Sequence, residues 1–445
     1  MEDALLENLF TDKERLKRAI NTCLVDKHFS QDDARAFCDE YFLIGKYLLI
    51  KSDTYCISAP CQKKVKKDNG EFRIVYVNQP FDRFLLSLIC ELLFDYVPEL
   101  VHERCKSYQK NLGTGKTVKE VSKVITSIRR FDFGVKTDLS KYFDSVPIGV
   151  IDGLFDRIES ILRRKGLLGD GHSKVINVLR RYYHQDTCYT PEGELITLYQ
   201  SLKQGCAVAS YLANACLYDI DEEISHMDVY YVRYSDDVLI LGNNWKPAFV
   251  QFGKRLNEIG LTLNPKKVEK LYKNTYFKFL GYSLRNDDIT LSANRVRKPK
   301  GSDKNGIQEE IIRIVKRCQE KGTSALKPIL HYLYVGDGQY SWATSVLPII
   351  NVTEDIETLD NYIKDCIRAT MCGIKIRNFG NELGGLGIEL KKPKKRGIIS
   401  RGKGTRVKTI RERTPEEIDG YYSLKCMRDN LIYNREVYRA IISTF

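Results

Sequence analysis

The sequence predicts a mixed α/β (α+β) protein centred on a strand–helix–strand–strand–helix–strand sheet of ferredoxin-like type. Three observations predict it. Val229–Gly242 (VYYVRYSDDVLILG) sets two apolar runs, Val229–Val232 and Val238–Leu241, around the polar knuckle Tyr234-Ser235-Asp236-Asp237. That is the pattern of a β-hairpin. Upstream, Phe131 to Val135 reads as a strand that ends on Asp138, ahead of Leu139-Ser140-Lys141-Tyr142-Phe143. Helical periodicity then brackets the hairpin, with Ala207–Ile224 before it and Trp245–Ile259 after it.

Taken in order, residues 1–55 predict helices, because Leu5, Leu6 and Leu9, and later Ala36, Phe37 and Tyr41, recur at helical spacing. Lys63–Lys67 and Asp68-Asn69-Gly70 form a basic, hairpin-like approach to the strand Phe72–Val77. Gly113-Thr114-Gly115-Lys116-Thr117 looks like a phosphate loop, but Lys110 stands where the motif requires glycine, which excludes an ATPase of that kind. Ile148 to Arg181 reads as helical and basic. Thr190–Glu194 is a turn that leads through Ile196–Tyr199 towards Gln204-Gly205. Small residues (Ala209, Ser210, Ala213) on one side of the Ala207–Ile224 helix suit either a nucleic acid lying close or tight helix–sheet packing. Leu261–Leu263 is predicted as the last strand of the sheet. Beyond Leu284 the period becomes helical, at Ile307–Cys318 and Ile356–Ile367, after a basic linker Arg295–Lys300. Thr414–Phe445 closes with a helical segment carrying Tyr421, Tyr422, Tyr433 and Tyr438.

Composition narrows the class. Of 445 residues, 43% are hydrophobic and 29% charged, as in an ordinary globular protein with more than one core. The longest apolar stretch, Leu85–Val97, is interrupted by Glu91 and Asp95 and is too short to span a bilayer. MEDALLENLF opens acidic, without the apolar run of a secretory signal, so no membrane partner and a cytoplasmic location are expected. None of the thirteen cysteines falls in a C-x-x-C pair, and the spacings Cys56/Cys61 and Cys366/Cys372 lack zinc geometry. The net charge is +13, and eleven Lys/Arg against the single acid Glu412 lie between Lys391 and Arg413. Lys391, Lys392, Lys394, Lys395, Arg396, Arg401, Lys403 and Arg406, interleaved with Gly397, Gly402 and Gly404, suit a flexible arm on phosphates. A solvated tail is the alternative.

Asp236 and Asp237 could sit at the hairpin tip because Asp tolerates tight turns. Asp138 at a neighbouring strand end suggests more. Carboxylates brought together in this way suit Mg²⁺, which takes oxygen ligands and keeps its waters until substrate phosphates replace them. Two such ions about 3.5–4 Å apart clamp both oxygens of an in-line phosphoryl displacement.

Five short stretches, in order, then resemble one family. They are Asp138 with Phe143 five residues on; Gln204-Gly205 followed by Ala209-Ser210 and Leu212-Ala213-Asn214; Tyr234-Ser235-Asp236-Asp237 preceded by Arg233; Gly260–Lys267 (GLTLNPKK); and Phe277–Tyr282 (FKFLGY). Across roughly Phe72 to Leu284 the chain resembles bacterial reverse transcriptases, the lineage of group II intron, retron and defence-associated enzymes. FRIVYVNQPFDRF (Phe72–Phe84) and YQKNLGTGKT (Tyr108–Thr117) match its finger motifs loosely. Lys203–Ser210 (KQGCAVAS) departs from the group II pattern PQGGPLSP, and the likeness is greatest to the heterogeneous group found in antiphage defence.

The resemblance implies a right-hand polymerase. Residues 1–70 would be an N-terminal helical extension and 71–137 fingers. The ferredoxin-like palm would run over 138–284, with finger elements between 150 and 200. A helical thumb would follow over 285–390, and a basic C-terminal extension over 391–445. It further implies RNA-directed DNA synthesis with two Mg²⁺ ions, Mn²⁺ being able to substitute. Asp138, Asp236 and Asp237 would be catalytic, and with Leu139 would form the metal set. Arg73 would reach the incoming triphosphate, or is a surface arginine on a strand. Gln204 would position the nucleotide. Phe143 would set its ring under the incoming sugar while Tyr142 points into the palm core; otherwise Phe143 is a core aromatic. Lys267 would neutralise pyrophosphate, with Lys266 as its rival. The implied partners are an RNA template of non-coding type, a DNA primer or product and dNTPs, with self-association open. A group II intron maturase, a template-independent or protein-primed DNA polymerase, and an inactive RNA-binding scaffold are the alternatives.

Overall fold

The computed structural model describes residues 2–25, 30–66, 72–127, 133–197, 201–292, 346 and 348–356. They divide into two compact units, one drawn from Met1–Lys66, Phe72–Gly113 and Arg130–Tyr272, the other mainly from Thr114–Arg129 and Lys273–Phe445.

The first unit opens with α1 (Ala4–Glu7), α2 (Lys13–Val25), α3 (Gln31–Ala36) and α4 (Glu40–Lys51). Their starts are written in the sequence: the Asp3, Ser30 and Asp39 side chains accept first-turn amides of α1, α3 and α4. The antiparallel pair β1 (Cys61–Lys66) and β2 (Phe72–Val77) leads into α5 (Pro80–Tyr96). Pro80 takes the first helical position, where a missing N–H costs nothing. Phe84, Leu85, Leu88, Ile89, Leu92 and Leu93 of α5 are buried in the main core, so truncating one to alanine would cost about 2–5 kcal/mol.

After β3 (Phe133–Asp138) and the short α7 (Tyr142–Ser145) come α8 (Ile148–Arg164) and α9 (Lys174–His184). Ile148–Arg181 was expected to be helical, and the structure divides it into these two helices. Gly166 sits at φ +70° past the end of α8, a conformation open to glycine. Leu167 N–H then bonds back to the Leu162 carbonyl, and Ser173 caps α9. Two short strands, β4 (Thr187–Tyr189) and β5 (Leu195–Thr197), extend the β1–β2 pair into a sheet of order β2-β1-β4-β5.

The expected helix Ala207–Ile224 is likewise two, α10 (Ala207–Ala215) and α11 (Tyr218–Ser225). Tertiary contacts break it. The Ala213 carbonyl accepts the Tyr142 hydroxyl at 2.5 Å, and the Asn214 carbonyl accepts the Arg233 guanidinium at 3.0 Å. The hairpin β6 (Tyr230–Tyr234) and β7 (Asp237–Leu241) follows as predicted, then α12 (Trp245–Glu258) and β8 (Glu269–Tyr272). The sheet runs β6-β7-β3-β8 and every neighbour is antiparallel. In chain order this is 2-3-1-4, the split βαβ arrangement.

Its fourth strand is not Leu261–Leu263. Backbone groups of Thr262 and Asn264 bond to Ser140 N–H and the Asp138 carbonyl, just where β3 ends, and Leu263 forms only an isolated bridge with Leu139. Pro265, lacking an N–H, then opens a short 3₁₀ turn, and pairing resumes at Glu269.

In the second unit, α6 (Thr114–Ser127) packs on the antiparallel sheet β9 (Phe277–Phe279), β10 (Tyr282–Arg285) and β11 (Asp288–Leu291). The FKFLGY stretch supplies the β9–β10 turn, with Phe277, Phe279 and Tyr282 buried. The segments 293–345 and 357–445 lie outside the described residues. With them lie the expected helix Ile307–Cys318, nearly all of Ile356–Ile367, the linker Arg295–Lys300, the final helical segment and every residue of the basic arm.

Candidate active site

The site is assembled where three chain segments end. β3 places Asp138 on its last position, 6% exposed, opposite Asp237 at the start of β7. Tyr234 pairs with Asp237, so the β6–β7 connection is the two-residue turn Ser235-Asp236. Ser235 adopts φ +58°, and Leu139 N–H donates to the Asp236 carbonyl at 3.1 Å, tying the turn to the end of β3. The Asp236 carboxyl lies close enough to Asp138 to raise its pKa. The third segment, Asn264–Lys267, hangs on the Asp138 carbonyl through Asn264 N–H at 2.8 Å and brings the Lys267 ammonium onto the Asp138 carboxylate. Lys266 is held differently, its own amide donating to the Asn264 side chain at 3.2 Å.

These groups load one place with negative charge. Burial, then the charges of Asp236 and Asp138, push Asp237 up to about 6. Burial also raises Asp138; Lys267 works against that, and Asp236 adds to it. Burial opposes the charge on Lys267, but its hydrogen bond to Asp138 and the neighbouring carboxylates hold it above the ordinary lysine value. Carboxylates this uncomfortable alone are suited to a cation. Among the described residues no group of three or more His, Cys, Asp or Glu is set to hold a metal by itself. The convergent pair Asp138–Asp236 still fits Mg²⁺, which is commonly bound by one or two carboxylates and completed by substrate phosphates. Leu139 is buried beside them and has only backbone oxygen to offer.

Among the described residues, the other predicted site residues each have contacts of their own. Phe143 is half-buried, edge-on to Tyr142 with ring centroids 5.7 Å apart, and its carbonyl accepts Leu202 N–H at 3.1 Å. Tyr142 is buried, its hydroxyl on the Ala213 carbonyl. The Gln204 carbonyl accepts Tyr76 N–H of β2 at 2.7 Å, which docks the β1–β2 hairpin on the Gln204-Gly205 turn. Gly205 has φ +107°, and a Cβ there would meet the Tyr76 carbonyl oxygen at 2.8 Å. Arg73, exposed on β2, lies near enough for its charge to act on the Tyr108 phenol.

Sequence reasoning missed the segment Arg104–Tyr108. It runs parallel along β6, with Arg233 N–H on the Arg104 carbonyl (2.9 Å) and Lys106 N–H on the Arg233 carbonyl (2.8 Å). It carries Ser107 and Tyr108 to the turn, the Tyr108 hydroxyl lying 3.3 Å from Ser235 Oγ. Asp221 was missed too, although it left a signal: a carboxylate on the stripe of α11 that also carries Ile220 and Ile224, buried beside them.

Residues 64–284 match the reverse transcriptase (RNA-dependent DNA polymerase) family. The chain carries a reverse transcriptase domain. That domain is an RNA-directed DNA polymerase domain, a nucleotidyltransferase, and its family's reaction uses divalent metal ions. The reverse transcriptase domain has the mixed α/β, right-hand polymerase fold expected from its sequence. Among solved structures the chain is similar to telomerase from Candida albicans in complex with a TWJ fragment of telomeric RNA, at 13% identity and a TM-score of 0.41, over 72% of this chain and 60% of that one. It is similar to apo telomerase from Candida tropicalis truncated from its C-terminal domain, at 14% identity and 0.41, over 53% and 55%. It is also similar to Candida tropicalis telomerase with the TWJ fragment, at 12% and 0.42, over 75% and 65%. The chain thus spans less than two thirds of each of these three telomerase chains. No curated protein matches its sequence. Among the described residues no helix is long and apolar enough to cross a membrane.

Proposed function

We propose that this protein copies an RNA template into DNA by metal-assisted nucleotidyl transfer at Asp138, Asp236 and Asp237. The observation that carries the proposal is the convergence of Asp138 and Asp236, with the Lys267 ammonium on the former, inside a reverse transcriptase domain. Bound there, two Mg²⁺ ions would supply Lewis-acid activation of the primer 3′-hydroxyl and neutralise the triphosphate. Asp138 and Asp236 supply the oxygens that hold the ions, and Asp237 adds negative charge beside them. Lys267 offsets charge on the leaving pyrophosphate. Gln204 and Arg73 orient the incoming nucleotide from the docked hairpin, and Phe143 lies under its sugar. The arm Lys391–Arg413, outside the described residues, grips RNA phosphates. The natural template is a non-coding RNA, and the enzyme works in the cytoplasm in antiphage defence; the support for this is the likeness of KQGCAVAS and its neighbours to defence-associated enzymes.

Replacing Asp236 and Asp237 together by alanine tests the chemistry. Primer extension on an RNA template should be abolished while RNA binding and the melting temperature stay close to wild type, since hairpin-tip residues take few packing contacts with them. Extension at a near wild-type rate would remove this hairpin from the active site. Sequencing the RNA and DNA that co-purify from the host would identify the template; recovery of only random cellular RNA would remove the non-coding partner.

A further inference from the structure

The turn that presents Asp236 is held from beneath by groups that the polymerase reading does not use. Ser235 N–H donates to Ser107 Oγ at 2.9 Å, and the Ser107 hydroxyl donates to Asn214 Oδ1 at 2.8 Å. The Asn214 amide returns a bond to the Ser107 carbonyl at 2.7 Å. On the other side, Arg233 Nη1 donates to the Ser235 carbonyl at 3.1 Å, and its Nη2 to the Asn214 carbonyl at 3.0 Å. Arg233 is fixed in turn by Asp221, at 2.5 Å and 2.8 Å, and Asp221 also accepts the Tyr231 hydroxyl at 2.6 Å. Ser107, Asn214, Asp221 and Arg233 are each 0% exposed. Both backbone polar groups of Ser235 therefore end on buried side chains, Ser107 and Arg233, and both of these are anchored on Asn214.

This arrangement is more than core packing needs. A buried ion pair is weak evidence for stability, because desolvation offsets most of the attraction. Ser235 is a non-glycine residue in the left-handed region, a conformation that persists only where its surroundings over-determine it. Its neighbour Asp236 has to meet Asp138 from the opposite strand. A displacement of about 1 Å at such a point can lower a rate by ~10²-fold.

We propose that Ser107, Asn214, Arg233 and Asp221 form a buried clamp of positioning residues that sets the Asp236 carboxylate against Asp138 and so sets the affinity of the site for divalent metal. The clamp rests on the polymerase reading. It touches no substrate. Groups that orient metal ligands from behind commonly change metal affinity by about 10–100-fold when removed.

The test uses the full-length protein and Ser107→Ala, which removes one hydroxyl and leaves the packing volume almost intact, with Ser107→Thr as the variant that keeps the hydroxyl. Mn²⁺ binding is measured without nucleotide or nucleic acid by electron paramagnetic resonance, with Asp236→Ala as the control for the site. The Mg²⁺ concentration for half-maximal extension and the melting temperature are measured beside it. Ser107→Ala should bind Mn²⁺ about tenfold more weakly and need about tenfold more Mg²⁺. The dNTP KM at saturating Mg²⁺ should stay within twofold of wild type, and Ser107→Thr should restore both metal readouts. Metal dependence unchanged in Ser107→Ala, with or without a lower melting temperature, overturns the clamp and leaves a structural network. Failure of both variants to fold also overturns it, since the cluster then serves the core alone. A wild-type protein that extends primers while Asp236→Ala leaves Mn²⁺ binding unaltered overturns the clamp but not the polymerase. A wild-type protein inactive at any metal concentration removes the polymerase reading, and the clamp falls with it.

Discussion

Asp138 and Asp237 are cross-strand partners on the last rung of the β3–β7 ladder. Residues directly opposed in an antiparallel pair share a face, and like charges placed so are destabilising. Asp236, in the adjoining turn, lies close enough to raise the Asp138 pKa, so a third acid crowds the same end of the sheet. Lys267, from a segment more than a hundred residues downstream of Asp138, brings one compensating positive charge. The site is poised for cations, and the consequences can be measured.

Lys267, not Lys266, should matter for chemistry. Both backbone amides are tied to Asn264, and it is the Lys267 ammonium that meets Asp138. Lys267→Met should lower the single-turnover rate of nucleotide addition by roughly 10²-fold, within the range for a positioned acid, and Lys266→Met should stay within about threefold of wild type. Equal effects of the two changes would return the assignment to open.

Gly205 should not tolerate a side chain. An alanine would put its Cβ 2.8 Å from the Tyr76 carbonyl oxygen, in a backbone conformation that costs about 1–3 kcal/mol outside glycine. Relief comes most easily by moving β2 away from Gln204. Gly205→Ala should therefore lower the melting temperature and raise the dNTP KM by about tenfold or more, with a smaller effect on kcat. An unchanged KM would mean that docking of the β1–β2 hairpin does not govern nucleotide binding.

Phe143 should be the sugar discriminator. Rejecting an added hydroxyl by hydrogen bonding is inefficient, and a steric wall works better. Its half-buried ring rests on Tyr142, which is itself fixed by the Ala213 carbonyl. Phe143→Val should admit ribonucleotides on the same primer–template at modest loss of deoxynucleotide incorporation. A mutant that still excludes them would make Phe143 a packing residue.

Lys203 should give stability an alkaline rise. Burial lowers its pKa to about 8, against an ordinary 10.5, although its ammonium donates to the Tyr182 and Gln185 carbonyls at 2.8 Å each. Between those two values the unfolded chain keeps a proton that the folded chain has lost, so this residue's contribution to stability increases as pH rises from about 8 to about 10.5. The ceiling is on the order of 3 kcal/mol. Chemical denaturation across that window should show the wild type gaining on Lys203→Met. A constant difference between the two proteins would mean that Lys203 titrates normally.

Much of the site was legible because local chemistry writes it. The hairpin around Ser235-Asp236 follows from two β-rich runs and a turn, and Asp138 from a strand that runs out at a carboxylate. The Gln204-Gly205 turn and the GLTLNPKK stretch could be found through resemblance. Where local pattern and tertiary contact disagreed, the contact prevailed. Periodicity alone carried helical character across Gly166 and a single helix across Cys216-Leu217; a left-handed glycine ends α8, and carbonyls taken by Tyr142 and Arg233 end α10. Leu261–Leu263 has strand-like composition, yet its backbone bonds to the tail of β3 and leaves the ladder to Glu269–Tyr272.

The sequence by itself determined which residues could do the chemistry: three carboxylates, a lysine pair, a glutamine before a glycine and an aromatic five places after an aspartate. Only the tertiary structure decided which lysine reaches Asp138, and that Ser107, Asn214, Arg233 and Asp221 meet under the turn. Side-chain periodicity reports the burial of single positions relative to their own element. Contacts between positions more than a hundred residues apart, such as Ser107 with Asn214 or Asp138 with Lys267, depend on how strands pair and helices end, and no local pattern encodes them.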